Sequence, residues 1–225
     1  MIVKKWMSRP VSFIQGRTSL LEAARLFRKK TISILPVMQQ GKISGIITES
    51  DIKKASQVRN GSLYSYEQPG IMDDIKADSI MKTEVITIQC DCTVDEAAQL
   101  MLSKDISGMP VVDRKGSLQG VITKSDIFRC FVSFTGVVNK GQIFAFRIKD
   151  RPGIIKCLTE AIRKHKGRLN SVLTSYDDID DGFRKVFIYA FDIEPEAFDS
   201  LVTELNHAAK LIYAADQIRG IRRLF

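Results

Sequence analysis

Residues 45–52 read GIITESDI, and residues 120–127 read GVITKSDI, 75 positions further on. In both, an apolar run ends in threonine and is followed three residues later by aspartate: Thr48 and Asp51, Thr123 and Asp126. A chain that repeats such a block builds one structural unit twice. The correspondence extends backwards. Glu22-Ala23-Ala24 and Pro36-Val37 recur as Glu96-Ala97-Ala98 and Pro110-Val111 at an offset of 74, so the second copy gains one residue between the blocks. The gain falls where residues 38–42 (MQQGK) face residues 112–117 (VDRKGS), polar and glycine-bearing between apolar runs, where a hairpin tolerates an insertion.

Within each copy, a short extended run (residues 11–14, VSFI; residues 85–88, VITI) precedes a helix. The apolar residues of these helices fall at Leu20, Ala23, Ala24 and Phe27, and at Val94, Ala97, Ala98 and Met101. That i, i+3, i+4, i+7 spacing makes one buried face. Ser19 to Glu22 and Thr93 to Glu96 have capping-box spacing. Two strands joined by the hairpin follow, then a second helix beginning at Thr48 or Thr123. The unit is βαββα, expected over residues 1–60 and again over 79–135. Residues 61–78 read as a linker. Its Tyr64 and Tyr66 suit either anchoring on a partner surface or partial burial in an ordered loop.

Beyond residues 135–141 the pattern changes. Residues 142–148 (QIFAFRI) predict a strand, followed by Asp150-Arg151-Pro152-Gly153 and a helix with Ile154, Ile155, Leu158, Ala161 and Ile162 on one face. Strands at 169–174 and 185–191 flank the acidic turn 177–182. A helix from about Pro195 groups Phe198, Leu201, Val202 and Leu205, and residues 211–215 form the final strand. This βαββαβ order, over residues 141–218, is the ferredoxin-like arrangement and makes the whole chain α+β.

The 225 residues are 44% hydrophobic and 27% charged, an ordinary globular composition. No apolar run approaches the ~20 residues of a membrane span, and the start turns polar too soon for a signal peptide, so a cytoplasmic address is expected. The net charge of +8 divides as 19 Lys+Arg against 14 Asp+Glu before Asn139 and 15 against 12 from there on. Arg28-Lys29-Lys30 and Arg222-Arg223 are the densest clusters and lack interleaved aromatics. A solvated basic surface is therefore expected, and nucleic-acid binding is not. Cys90, Cys92, Cys130 and Cys157 have no C-x-x-C spacing, and His165 and His207 stand far apart, so no zinc site is expected and the thiols read as reduced and mostly buried. Asp51, Asp126 and Asp150 are the only plausible acid–base groups. None has a histidine, cysteine or second carboxylate at catalytic spacing, and no phosphate loop exists, so an enzyme is not expected.

Thr48 with Asp51, and Thr123 with Asp126, stand where a strand ends and a helix begins. Free amides and the positive end of the helix favour an anion there, phosphate included. The carboxylate can accept hydrogen bonds from a ribose diol. A nucleoside phosphate fits the pair, with Asp126 on the ribose, Thr123 and Ser125 on ribose or phosphate, and the base among Val85, Ile106 and Pro110. Lys124 favours phosphate in the second copy, and Glu49 a less charged ligand in the first. The same Thr-x-x-Asp spacing is also a plain helix cap that needs no ligand. Asp150-Arg151-Pro152-Gly153 likewise reads either as a binding loop or as a helix start, with Asp as N-cap and Pro in the first turn.

Residues 106–113 (ISGMPVVD), followed by 120–126 (GVITKSD), resemble the wording of CBS domains, so the repeat resembles a tandem CBS pair. The βαββαβ tail with its Asp150-Arg151-Pro152-Gly153 loop resembles an ACT domain. With residues 1–3 (MIV) and 62–67 (SLYSYE), the whole is similar to CBS–ACT regulatory proteins of the acetoin-utilisation type. The resemblance implies allosteric regulation by AMP, ADP, ATP or S-adenosylmethionine bound in the CBS cleft, with no required cofactor, a homodimer and a regulated partner protein. It assigns to the nucleotide Val85, Thr87, Ile106, Ser107, Gly108, Met109, Pro110, Thr123, Ser125 and Asp126, with Ser107 and Gly108 near the base edge. In the first copy the matching positions are Val11, Ile32, Ser33, Ile34, Pro36, Thr48, Ser50 and Asp51, where Ile34 in place of Gly108 crowds a base. In ACT domains the loop matching residues 150–153 contacts a small effector, usually an amino acid. Two alternatives stand beside the nucleotide sensor: an amino-acid sensor working through the ACT-like tail, and an oligomerising module without a ligand.

Overall fold

The computed structural model describes residues 1–60 and 73–225, and Tyr64, Tyr66 and most of the expected linker lie outside them. The chain divides into two compact units, Met1–Cys130 and Phe131–Phe225. The first begins with a single helical turn, α1 (Val3–Trp6), and continues as β1 (Ile14–Gln15), α2 (Leu20–Lys30), β2 (Ile34–Gln39), β3 (Lys42–Thr48) and α3 (Glu49–Asn60). After a 3₁₀ turn (Ala77–Ser79) the same succession returns as β4 (Ile88–Gln89), α4 (Val94–Ser103), β5 (Gly108–Val112), β6 (Leu118–Thr123) and α5 (Lys124–Thr135). Each repeat has a three-stranded sheet whose first pair is parallel and second antiparallel.

Local chemistry accounts for the elements. The expected apolar faces of α2 and α4 are turned into the cores, with Leu20, Ala23, Val94 and Ala97 essentially inaccessible. Thr93 completes the capping box of α4: its hydroxyl accepts the Glu96 amide at 3.3 Å, and the Glu96 carboxylate accepts the Thr93 amide at 2.6 Å. At α2 Ser19 accepts the Glu22 amide at 3.3 Å, but its hydroxyl turns to Asp73. The one-residue insertion lies in the hairpin, as expected. The β2–β3 turn has two residues, Gln40 and Gly41, with φ of 49° and 77°, the left-handed pair that a tight hairpin requires. The β5–β6 turn is longer, and the Asp113 carboxylate holds it by accepting the Lys115 and Ser117 amides, both at 2.9 Å.

The segments leading into each repeat are exchanged. Residues 1–8, numbered with the first repeat, pack into the second. The Val3 amide donates to the Cys92 carbonyl at 2.9 Å and the Lys4 amide to Cys90 at 3.0 Å, while Val3 and Met7 join Ile88, Met101, Met109, Val111 and Ile122 in one core. Residues 75–82, leading into the second repeat, pack into the first. There the Ala77 amide donates to Thr18 at 2.9 Å, the Ile46 amide to Lys82 at 3.0 Å, and Ala77 joins Leu20, Phe27, Leu35, Val37 and Ile47. Val3 and Ala77, Met7 and Met81, and Ser8 and Lys82 are equivalent at the offset of 74, so the repeat begins earlier than its conspicuous blocks indicate. Each methionine lies on a glycine of the opposite repeat. A Cβ on Gly120 would fall 2.3 Å from Met7 Sδ, and one on Gly45 2.5 Å from Met81 Sδ.

The second unit is β7 (Gln142–Lys149), α6 (Ile154–Lys164), β8 (Arg168–Ser175), β9 (Phe183–Phe191), α7 (Ala197–Ala208), β10 (Lys210–Asp216) and β11 (Ile221–Leu224). The sheet order is β11-β10-β7-β9-β8 with every neighbour antiparallel. The expected faces of α6 and α7 meet Phe144, Phe146, Val186 and Ile188 in its core. Residues 211–215 are not the last strand. The buried Asp216 accepts the Ile218 and Arg219 amides at 3.0 and 3.2 Å and turns the chain back, so Ile221–Leu224 adds an edge strand through the Arg222-Arg223 cluster. Nor are the thiols mostly buried. Cys130 is, but Cys90 and Cys92 are intermediate, and Cys157 is exposed because the apolar stripe of α6 leaves position 157 outside.

Met7→Ala is expected to cost about 2–4 kcal/mol, as for other deletions of buried methionine side chains. The loss should appear as faster amide exchange across Ile88, Met109, Val111 and Ile122 of the second repeat, with the first repeat's sheet protected as before. Met81→Ala should produce the mirror pattern.

Candidate functional site

Two clefts open between the repeats, each walled by both. The smaller, about 190 Å³, brings Thr123, Ser125 and Asp126 of the second repeat against Val11, Ile32, Ser33 and Ile34 of the first, with Ser8, Pro10 and Ser12 of the N-terminal segment on its wall. The larger, about 370 Å³, brings Thr48, Glu49 and Ser50 of the first repeat against Ile106, Ser107 and Gly108 of the second, with Lys82, Glu84 and Ile86 along its wall. Ile32, Ser33 and Ile34 border both. The linings correspond position by position at the repeat offset: Ser8 with Lys82, Pro10 with Glu84, Thr31 with Asp105, Ser125 with Ser50.

These groupings correct the expected ones. Asp126 shares its cleft with the apolar residues of the first repeat, not with Ile106, Ser107 and Gly108, which face Thr48 and Ser50. Val85, Thr87, Met109, Pro36 and Pro110 line neither cleft; Met109, Pro36 and Pro110 are buried in their strands. Lys124 is not part of the Asp126 cleft, and its amide is already bonded to the Ser107 carbonyl at 2.9 Å. The Ile34 and Gly108 difference is one of packing across the repeats: a Cβ on Gly108 would lie 2.9 Å from Ile34 Cδ1 and 2.7 Å from the Ile122 carbonyl oxygen. The large residue of one repeat fills the space left by the small residue of the other, and the crowding falls on both clefts. Ser8, Lys82, Glu84 and Asp105 were absent from the sequence reading. Their signal is the offset of 74, which continues through both lead-in segments.

Asp126 lines the smaller cleft and Asp51 lines neither, yet both carboxylates are tied into the helix starts. Asp126 Oδ2 accepts the Thr123 amide at 2.9 Å and its hydroxyl at 2.8 Å, and Asp51 Oδ2 does the same with Thr48 at 2.9 and 2.6 Å. The capping reading of Thr-x-x-Asp is therefore realised in both copies. The second oxygen of each carboxylate faces a cation. Asp126 Oδ1 is 3.0 Å from the Arg129 guanidinium and 3.4 Å from the Ser8 hydroxyl, and Asp51 Oδ1 is 3.3 Å from Lys82 Nζ. Burial pushes the Asp51 carboxyl up, but the Thr48 hydroxyl, the Thr48 amide and Lys82 together outweigh it and hold the group below its ordinary 3.8. Among the described residues no group of three metal-ligating side chains is present, and no helix is long and apolar enough to cross a membrane.

In the second unit the expected N-cap role of Asp150 is not realised. Gly153, at φ 90°, is the N-cap of α6 and no side chain caps it. The Asp150 carboxylate instead lies 3.3 Å from Arg184 Nε on β9 and accepts the Tyr176 hydroxyl at 2.9 Å. The Asn170 side chain packs against Gly136.

The CBS domain family profile matches residues 3–58 and 77–133. A protein of unassigned function from Methanocaldococcus jannaschii is 31% identical over 155 residues, which are 59% of this chain and 92% of its own length. A CBS domain pair solved in complex with 5′-methylthioadenosine and S-adenosyl-L-methionine is 33% identical, over 58% of this chain and 95% of that one, with a TM-score of 0.49. A Vibrio cholerae structure described as an acetoin utilization protein (AcuB) is 21% identical, over 62% and 96%, with a TM-score of 0.51, a likeness of fold.

A carboxyl held below its ordinary value stabilises the fold above its unfolded pKa, and that contribution fades as pH falls through the folded one. Asp51→Asn is therefore expected to flatten the acid limb of stability against pH near and below 3.8, with little change in its shape at neutral pH. Urea midpoints measured from pH 2.5 to 7 check this.

Proposed function

The chain belongs to the CBS-domain family, and on that premise we propose a non-enzymatic regulatory sensor that binds an adenosine nucleotide or related adenosyl compound in the clefts between its repeats. The observation that carries the reading is the composition of the cleft walls. Each joins hydroxyls at the start of one repeat's second helix (Thr123 and Ser125, or Thr48 and Ser50) to apolar and serine positions of the other repeat. Helix-start hydroxyls suit ribose or phosphate, and the isoleucines suit the faces of a base. A ligand bridging both walls binds one mutual packing of the repeats better than another. It shifts that equilibrium by its differential affinity, typically worth ~1–3 kcal/mol. Asp126 contributes through Oδ1, the oxygen not used in the cap, which can accept from a ribose hydroxyl in exchange for Ser8.

A second reading rests on the C-terminal unit. Its βαββαβ core, with order β10-β7-β9-β8, is the ferredoxin-like arrangement used by ACT domains. Asp150 stands with Arg184 and Tyr176 beside a helix start that no side chain caps. In this reading the unit senses an amino acid and the paired repeats serve assembly, as a homodimer or on a partner protein.

Calorimetry with AMP, ADP, ATP and S-adenosylmethionine tests the first reading. At least one should bind, and Asp126→Asn, which keeps an acceptor for the Thr123 amide, should weaken a ligand of the smaller cleft about tenfold in a protein that remains folded by circular dichroism. Failure of all four to bind sinks it. A thermal shift with one of the twenty amino acids, abolished by Asp150→Ala, would move the sensing role to the second unit.

A further inference from the structure

We infer that the larger cleft selects an adenosyl ligand with a cationic tail and discriminates against phosphate; this rests on the adenosyl reading above and assigns the chemistry of one of its two sites. The matched walls make the argument, because the two clefts differ mainly in charge. Where the smaller cleft has Pro10 and Thr31, the larger has Glu84 and Asp105, and Glu49 adds a third carboxylate. Glu49 is paired with Lys53 at 2.9 Å, and the one lysine of the lining, Lys82, is engaged with Asp51 at 3.3 Å. Glu84 and Asp105 have no ion-pair partner among the described residues, so the local field of this cleft is negative.

The floor of the larger cleft is apolar, from Ile32, Ile34, Ile46, Ile86 and Ile106. An adenine fits that floor, but a phosphate attached to it would meet the two open carboxylates in a partly enclosed space, where like charges repel more strongly than in bulk water. A sulfonium or ammonium in the same place is attracted. The smaller cleft presents no charge at the corresponding positions, Pro10 and Thr31, its carboxylate Asp126 is paired with Arg129 at 3.0 Å, and the Lys30 ammonium lies at its edge, 3.0 Å from the Ser12 hydroxyl. It offers a phosphate no comparable repulsion.

Calorimetric titration of the full chain with three probes separates the possibilities: S-adenosylmethionine (cationic tail), 5′-methylthioadenosine (uncharged tail) and AMP (anionic tail). On the native protein S-adenosylmethionine should bind the larger cleft at least about tenfold more tightly than AMP, and AMP should not displace it. The double variant Glu84→Gln/Asp105→Asn removes both open charges, and asparagine tolerates the left-handed backbone of position 105, φ 48°. It should weaken S-adenosylmethionine about tenfold, leave 5′-methylthioadenosine within about twofold, and leave AMP in the smaller cleft unmoved. If 5′-methylthioadenosine binds but S-adenosylmethionine is indifferent to the double variant, or AMP displaces it freely from the native protein, the charge selection is wrong and the adenosyl reading stands. If none of the three binds, the charge selection falls, and ADP and ATP decide the adenosyl reading.

Discussion

Everything in the first unit depends on the close approach of a methionine to a glycine in the opposite repeat. Met7 can lie on β6 only because Gly120 has no side chain, and Met81 on β3 only because Gly45 has none. Those two contacts seat the lead-in segments, which complete the two cores: without Val3 and Met7 the second repeat lacks part of its apolar interior, and without Ala77 and Met81 the first does. A βαββα unit with a three-stranded sheet is too small to bury its own faces. The exchange answers that deficit by making each repeat part of the other's core.

The same exchange produces the clefts and their chemistry. Because each lead-in crosses to the other repeat, it lays position 8 or 82 beside the carboxylate of that repeat's helix cap and positions 10–12, or 84 and 86, along the cleft wall. In the proposed sensor the Thr-x-x-Asp motif serves two ends without conflict. One carboxylate oxygen holds the helix start, a contribution of about 1 kcal/mol for such caps, while the other remains directed at a cation or hydroxyl that a ligand can replace. On the proposed reading, capping and binding, alternatives at the level of spacing, engage different atoms of the Asp126 side chain.

Much of this was legible in the residues. The offset between Thr48 and Thr123, the helical spacing of Leu20 to Phe27 and of Phe198 to Leu205, and the extra residue in the second hairpin follow from local pattern, and each is found where expected. What local pattern does not carry is which copy a segment docks on. The bond from the Val3 amide to the Cys92 carbonyl joins residues far apart in the chain, and nothing in α1 names its partner. The pairing of Asp126 with Ile32–Ile34 positions, and of Thr48 with Ile106 and Ser107, was inverted for that reason. The Arg222-Arg223 pair concealed β11 because both charges remain accessible on an edge strand while Ile221 packs inward. Asp150 reads as a cap by position, yet Arg184, more than thirty residues away, competes for its carboxylate successfully.

The crossed lead-ins also set an order of events when the chain is made. Synthesis runs from the N-terminus, and domains generally fold as they emerge. The first repeat cannot close around Leu35 and Ile47 until Ala77 and Met81 are outside the ribosome, and Met7 has no seat until Gly120 has followed. Residues 1–8 therefore wait through the synthesis of more than a hundred residues, with Val3 and Met7 open to solvent. The first repeat can therefore complete its core as soon as residue 82 has emerged, whereas the second waits for Gly120 and takes the earliest-made segment as its last piece.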